Sequence, residues 1–180
     1  MRTAKARGLT LIEAMAAMGV MLIGGLGLLS LNAQGQKMNG DALRTTRATA
    51  IAQDLANQIS LWNYGDARLA NANTANDADL GDSQFAFEQA GAPPADHGEA
   101  DLTLGGAAWL GIPSADLQGT GYERYWNVGF PTSGGALVDD ANGNGIPDAM
   151  RIAVVVRWPS GTGFRRVVLL AVKANPAEAR

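Results

Sequence analysis

Hydrophobic and polar positions divide this chain into stretches with different periods. From Leu9 to Leu31 the sequence reads LTLIEAMAAMGVMLIGGLGLLSL, apolar on every side, with Glu13 its single ionisable residue. At about 1.5 Å per residue, a helix of this length crosses a bilayer core of roughly 30 Å. From Asn32 to about Asn63 the pattern becomes one-sided. Leu43, Ile51, Leu55, Ile59 and Trp62 recur at helical spacing, with Gln, Arg, Thr and Asp on much of the remainder. This predicts that the helix continues outside the membrane, with its apolar stripe under a sheet. Asp41, Arg44 and Arg47 read as a solvated face of it.

Residues 64–83 (YGDARLANANTANDADLGDS) have no apolar period and predict a long surface loop. Short strands are expected at Gln84 to Glu88 and Asp101 to Leu104, with a Gly-Ala-Pro-Pro turn region between them. In the last third the period is two. Tyr122, Arg124, Trp126, Val128 and Phe130 alternate with their neighbours, and so do Ile152, Val154, Val156 and Trp158. Phe164 to Lys173 is a further β-rich run, joined to the preceding one through Pro159-Ser160-Gly161-Thr162-Gly163 as a hairpin. These patterns predict an α+β fold, one long helix against an antiparallel sheet of three or four strands.

Composition narrows the chemistry. The 180 residues contain no Cys, which removes disulfides, thiol nucleophiles and Cys-based metal sites. The net charge of −3 conceals an asymmetry, because Arg2, Lys5 and Arg7 precede the apolar run. Without them 11 basic side chains face 17 acidic ones, about −6 by that count. No basic stripe remains, so nucleic-acid binding by phosphate neutralisation is disfavoured. His97, the single His, falls in a polar stretch with Asp96 and Glu99 and is expected in solvent. No G-x-S-x-G elbow, P-loop or H-E-x-x-H occurs, and the residues point away from an enzyme. The strand Trp and Tyr residues read as packing rather than as a sugar platform.

The basic leader ends in Gly8 and is followed by Leu9-Thr10-Leu11-Ile12-Glu13. A general secretory signal has a shorter apolar core and an A-x-A-like site, which this segment lacks. Leader, Gly and Glu in this register resemble the prepilin leader of type IV pilins and type II pseudopilins. The resemblance implies cleavage between Gly8 and Leu9 by a prepilin peptidase, methylation of the new N-terminus, and an assembly role for Glu13. Leu9 stands where the family usually has Phe. Physics agrees on Glu13, because a carboxylate in an apolar span is expensive and usually has a partner. The α-amino group of Leu9 on a neighbouring subunit would supply one. The competing view is a Glu near a helix N-terminus that favours the dipole or reaches the headgroups. Gly19, Gly24, Gly25 and Gly27 permit close helix approach or a local weak point, and the sequence favours neither.

YERYWNV, a loop, and then RIAVVVRW–PSGTG–FRRVVLLAVK are similar to the C-terminal half of PilV-type minor pilins. The two resemblances together imply the type IV pilin fold, divided into a leader at 1–8, a transmembrane half-helix at 9–31, a periplasmic half-helix at 32–63 and a β-sheet head at 64–180. They imply an inner-membrane location before assembly and a surface pilus afterwards. The partners are then other major and minor pilins and the inner-membrane assembly platform, and the roles initiation, tip placement, adhesion or twitching motility. A minor pseudopilin of type II secretion shares the leader, Glu and architecture.

Between the strands, Asp140, Asn142, Asn144 and Asp148 fall at positions 1, 3, 5 and 9 of a loop with Gly145 at position 6. That spacing lets side-chain oxygens and the Ile146 carbonyl wrap a hard cation such as Ca2+. The stretch resembles the calcium loops of thrombospondin type 3 and related bacterial repeats. Position 12 is Arg151 rather than a bidentate Glu, which excludes a strict EF-hand. An Asn/Gly/Asp turn capping its own backbone is the simpler alternative. If the loop carries the function, the chain is a membrane-anchored, calcium-dependent adhesive module. Arg157, Arg165, Arg166 and Lys173 near the last hairpin read as a solvated edge that blocks strand pairing.

Overall fold

The computed structural model describes residues 10–72, 95–130, 132–133, 136–137 and 147–176. The leader, the expected strand at 84–88 and most of the 139–148 loop lie outside these residues. The fold is α+β, a long N-terminal helix and a four-stranded antiparallel sheet. Helix α1 runs without a break over Leu11–Leu61. Residues up to Arg44 form one compact unit and those from Thr45 onward another.

In the first unit α1 is uncovered, and it is apolar as far as Leu31. Leu11, Ile12, Met15, Met18, Leu22, Leu26 and Leu29 are all exposed, and this part of the helix is long and apolar enough to cross a membrane. Leu43 is 65% exposed, so the buried stripe begins later than the sequence period implied. Helical spacing alone cannot say where along a helix its cover starts.

In the second unit the C-terminal turns of α1 bury Ala48, Ile51, Ala52, Leu55 and Ile59. The sheet has the order β1-β2-β5-β6, formed by β1 (His97–Gly98), β2 (Glu123–Gly129), β5 (Ala149–Ser160) and β6 (Gly163–Ala174). The residue pairs β3 (Thr132–Ser133) and β4 (Ala136–Leu137) form a separate ribbon. In β2, Trp126 and Val128 face the helix and join Ile152, Val154, Val156 and Trp158 of β5 in one core. A Leu-sized side chain fully buried there contributes about 1.5–3 kcal/mol. The opposite face carries a smaller cluster of Ala153, Val155 and Val168. Two residues turn the β5–β6 hairpin, and Gly161 takes φ 61°, which suits a left-handed first turn position.

Three local expectations change. Asp101 to Leu104 belongs to 3-10 turns over Glu99–Gly106, not to a strand. Asp101 Oδ2 accepts the Gly98 N–H at 2.8 Å, and this bond turns the chain out of β1. The stretch after Tyr64 is not all surface loop, because Ala67–Leu69 forms a 3-10 turn that buries Arg68 and Leu69. His97 is buried rather than in solvent. It stacks on Trp126 with ring centroids 5.3 Å apart, and its Nε2 lies 2.7 Å from the Ala70 carbonyl.

Candidate functional site

At the start of α1, Glu13 and Thr10 bind each other reciprocally. The Thr10 N–H and hydroxyl both donate to Glu13 Oε2, at 3.0 and 3.1 Å, and the Glu13 N–H donates to Thr10 Oγ1 at 3.3 Å. This is a capping box, with Thr at the cap and Glu three residues on, and it satisfies backbone donors that a helix start leaves open. Glu13 is therefore locally satisfied, exposed, and the sole acid in the first turn. The hydrogen bonds to its side chain all fall on one oxygen, Oε2. The T-x-x-E spacing was visible in the sequence and is the signal that its reading as an isolated carboxylate passed over. Gly8 and Leu9, on either side of the expected cleavage, lie outside the described residues.

In the head, three clamps fix the elements around α1. The Arg68 guanidinium lies 3.9 Å from the centre of the Trp62 ring, pairs with Asp66 at 2.6 Å and donates to the Leu102 carbonyl. The hydrogen bond from Arg68 holds the Asp66 carboxyl below its ordinary range. Arg124, buried, pairs with Glu99 through Nε and Nη2 at 2.6 and 2.8 Å and donates to the Ile112 carbonyl. Such two-point carboxylate contacts add direction as well as energy. Asp54 of α1 accepts the Ile112 N–H at 2.7 Å, and Arg47 donates to the Asp116 carbonyl at 3.3 Å. Arg47 is thus a tie between helix and loop, not merely part of a solvated face.

Lys173 was grouped in the sequence with a solvated basic edge. Its Nζ instead donates to the Ile59 and Ser60 carbonyls, at 3.1 and 3.0 Å. Those carbonyls belong to the open C-terminal end of α1, where a cation is favoured. Burial pulls the Lys173 amine below its ordinary range, and Asp66 partly opposes this. On the other face, Arg157 pairs with Glu123 at 2.6 Å, across the β2–β5 register. Burial pushes the Tyr125 hydroxyl up to about 12, helped by its hydrogen bond to Glu123.

Asp140, Asn142, Asn144 and Ile146 of the candidate calcium loop lie outside the described residues. Asp148 and Pro147 are described, and they form a pinned exit. Tyr64 Oη donates to the Pro147 carbonyl at 3.0 Å, and the Asn175 N–H donates to the Asp148 carbonyl at 2.6 Å. Burial, and after it the Asp148 charge, raises the Tyr64 hydroxyl above its ordinary range. Among the described residues no cluster of three metal-ligating side chains occurs.

No family model, curated protein or solved structure matches this chain.

Proposed function

We propose that this chain is a minor subunit of a type IV pilus, made as a prepilin, cleaved between Gly8 and Leu9, and inserted through α1. The observation that carries the reading is one unbroken helix that changes environment along its length. Its first part, to Leu31, is an apolar run with Glu13 as the single ionisable side chain, and its last turns form the floor of a sheet-based head. A helix of this kind serves as a membrane anchor before assembly and as a packing element in a filament afterwards. The PilV-like β-rich C-terminal region agrees with a minor subunit acting in initiation or at the tip, with adhesion or twitching as the outcome.

Glu13 is the assembly residue in this reading. With its capping bonds on Oε2, the carboxylate is oriented by Thr10 before a neighbour's Leu9 amine reaches it. The test is Glu13→Ala expressed in place of the natural chain. The expected result is normal processing and membrane insertion, with the subunit missing from sheared surface filaments. Normal incorporation of Glu13→Ala would remove the assembly role.

A second reading keeps the anchor and assigns binding to a Ca2+ loop over Asp140, Asn142, Asn144, Ile146 and Asp148. The spacing of oxygen side chains and the pinned exit at Pro147 and Asp148 support it. Calorimetry is expected to show calcium binding that weakens in Asp148→Ala. Absence of heat with calcium would leave the turn alternative.

A further inference from the structure

Strand β1 pairs only with Tyr125 and Trp126, so it stops short of the start of β2. Past its end, at Glu123 and Arg124, β2 meets Glu99 and the short helix α2 (Ser114–Leu117) around a pocket of about 230 Å3. The walls are held in place. Thr120 Oγ1 donates to the Leu117 carbonyl at 2.6 Å, which closes the turn after α2. Arg157 lies over the Tyr125 ring, 5.1 Å from its centre, and Arg47 over the Tyr122 ring at 5.6 Å.

Leu117, Tyr122 and Tyr125 give the pocket apolar walls, and the remaining lining is polar. Its charges cancel. Arg124 matches Glu99 at two points, and Arg157 matches Glu123. Arg47 and Asp116, close by, are again one of each sign. An ion entering here would lose its water and meet no net charge. Hydrogen-bonding capacity remains. Each Glu99 oxygen accepts one bond from Arg124, whereas a carboxylate has about four acceptor sites. Glu123 Oε1 accepts none, because the Tyr125 hydroxyl and Arg157 Nε both donate to Oε2. The side chains of Ser114 and Gln118 form no hydrogen bond with a described residue. Arg124 Nη1, buried in the pocket wall, donates to nothing. Buried donors are seldom left so.

A fitting ligand therefore carries an apolar face and a rim that both donates and accepts. A purely apolar group would leave the polar lining without water or partner. A sugar ring meets both demands, with C–H groups on its faces and hydroxyls on its rim. Tyr125, read from the sequence as packing, is half-buried and walls the pocket instead of filling the core.

We propose that this pocket binds one neutral sugar ring of a surface glycan, its C–H face on Tyr125 and Leu117. Glu99, Ser114, Gln118 and Glu123 then take its hydroxyls. The proposal deepens the adhesive side of the subunit reading and rests on it only for the head's place outside the cell. A single ring in such a pocket is expected to bind with Kd on the order of 1 mM.

The test is saturation-transfer NMR on the full-length chain, purified from its native cells in a detergent without a sugar headgroup. The probes are the methyl glycosides of glucose, galactose, mannose and N-acetylglucosamine, with tetramethylammonium as a cationic probe. Transfer to the ring protons of at least one glycoside is expected, and none to the cation. Gln118→Ala is expected to weaken that binding about five-fold, the worth of one hydrogen bond. Ser114→Phe, which fills the pocket, is expected to abolish it, and Leu110→Ala to leave it unchanged. No transfer to any glycoside, transfer to the cation alone, or sugar binding unchanged in Gln118→Ala and Ser114→Phe would overturn the proposal. The N-terminal mass of the same preparation separates the two readings. A mature Leu9 terminus without sugar transfer refutes the pocket alone. Sugar transfer by a chain still carrying Met1 to Gly8 supports the pocket and refutes the subunit reading.

Discussion

Leu22 and Leu55 belong to the same helix and have opposite surroundings. Leu22 is 69% exposed and Leu55 0%. The first lies in a stretch that is apolar on every side, the second on a one-sided stripe facing β2 and β5. The contrast lies in the pattern of side chains along one helix. The first stretch has no polar face and is long and apolar enough to cross a membrane. Where one side meets water, burial falls on the stripe alone.

The comparison predicts a large split in stability. Leu55→Ala is expected to destabilise the head by about 2–5 kcal/mol, because it leaves a cavity in a packed core. Leu22→Ala is expected to leave head stability unchanged. Denaturant unfolding followed by fluorescence reads the head selectively, because all four Trp residues lie at or beyond position 62. Equal losses from the two substitutions would break the distinction.

Gly111→Ala sharpens the boundary between helix and loop. A Cβ at this position would run into Asp54 Oδ2 and the Trp109 ring. The Asp54 to Ile112 clamp has no slack, and a loss of about 1–3 kcal/mol is expected, as for other overpacked sites. The same denaturant curve measures it, and an unchanged midpoint would show that the loop yields freely. A smaller effect is expected at the helix end. Lys173→Met keeps the stem and removes the charge from the Ile59 and Ser60 carbonyls, with a loss of about 1 kcal/mol or less.

The smallest effect is a pH dependence. The Asp66 carboxyl titrates below its ordinary value when folded, chiefly through the Arg68 hydrogen bond. Its stabilising contribution is complete above the unfolded value near 3.8 and is lost as pH falls through the lower folded value. Asp66→Asn is therefore expected to flatten the acid limb of a stability-versus-pH curve below about pH 4 without altering its shape near neutrality. An unchanged acid limb would show that the Arg68 clamp stabilises only by packing.

Much of this architecture was legible in residue order. Period two at Tyr122–Phe130 and Ile152–Trp158 marked β2 and β5, and Gly161 marked the turn between β5 and β6. What escaped depended on contacts far apart in sequence. His97 has polar neighbours in the chain, yet Trp126 and the Ala70 carbonyl take it inside. Lys173 alternates like an edge residue, but the end of α1 lies within its reach. Leu43 keeps the helical spacing of Ile51 and remains exposed. At Glu13 the sequence supplied both partners of a capping box, while the apolar surroundings drew attention to the charge alone.

The most direct measurement is mass spectrometry of the N-terminal peptide from sheared surface filaments. A subunit reading predicts a peptide beginning at Leu9, with or without a methyl group, recovered from the filaments. A peptide still carrying Met1 to Gly8, found only in the membrane, would contradict it and leave α1 as the anchor of a membrane-bound head.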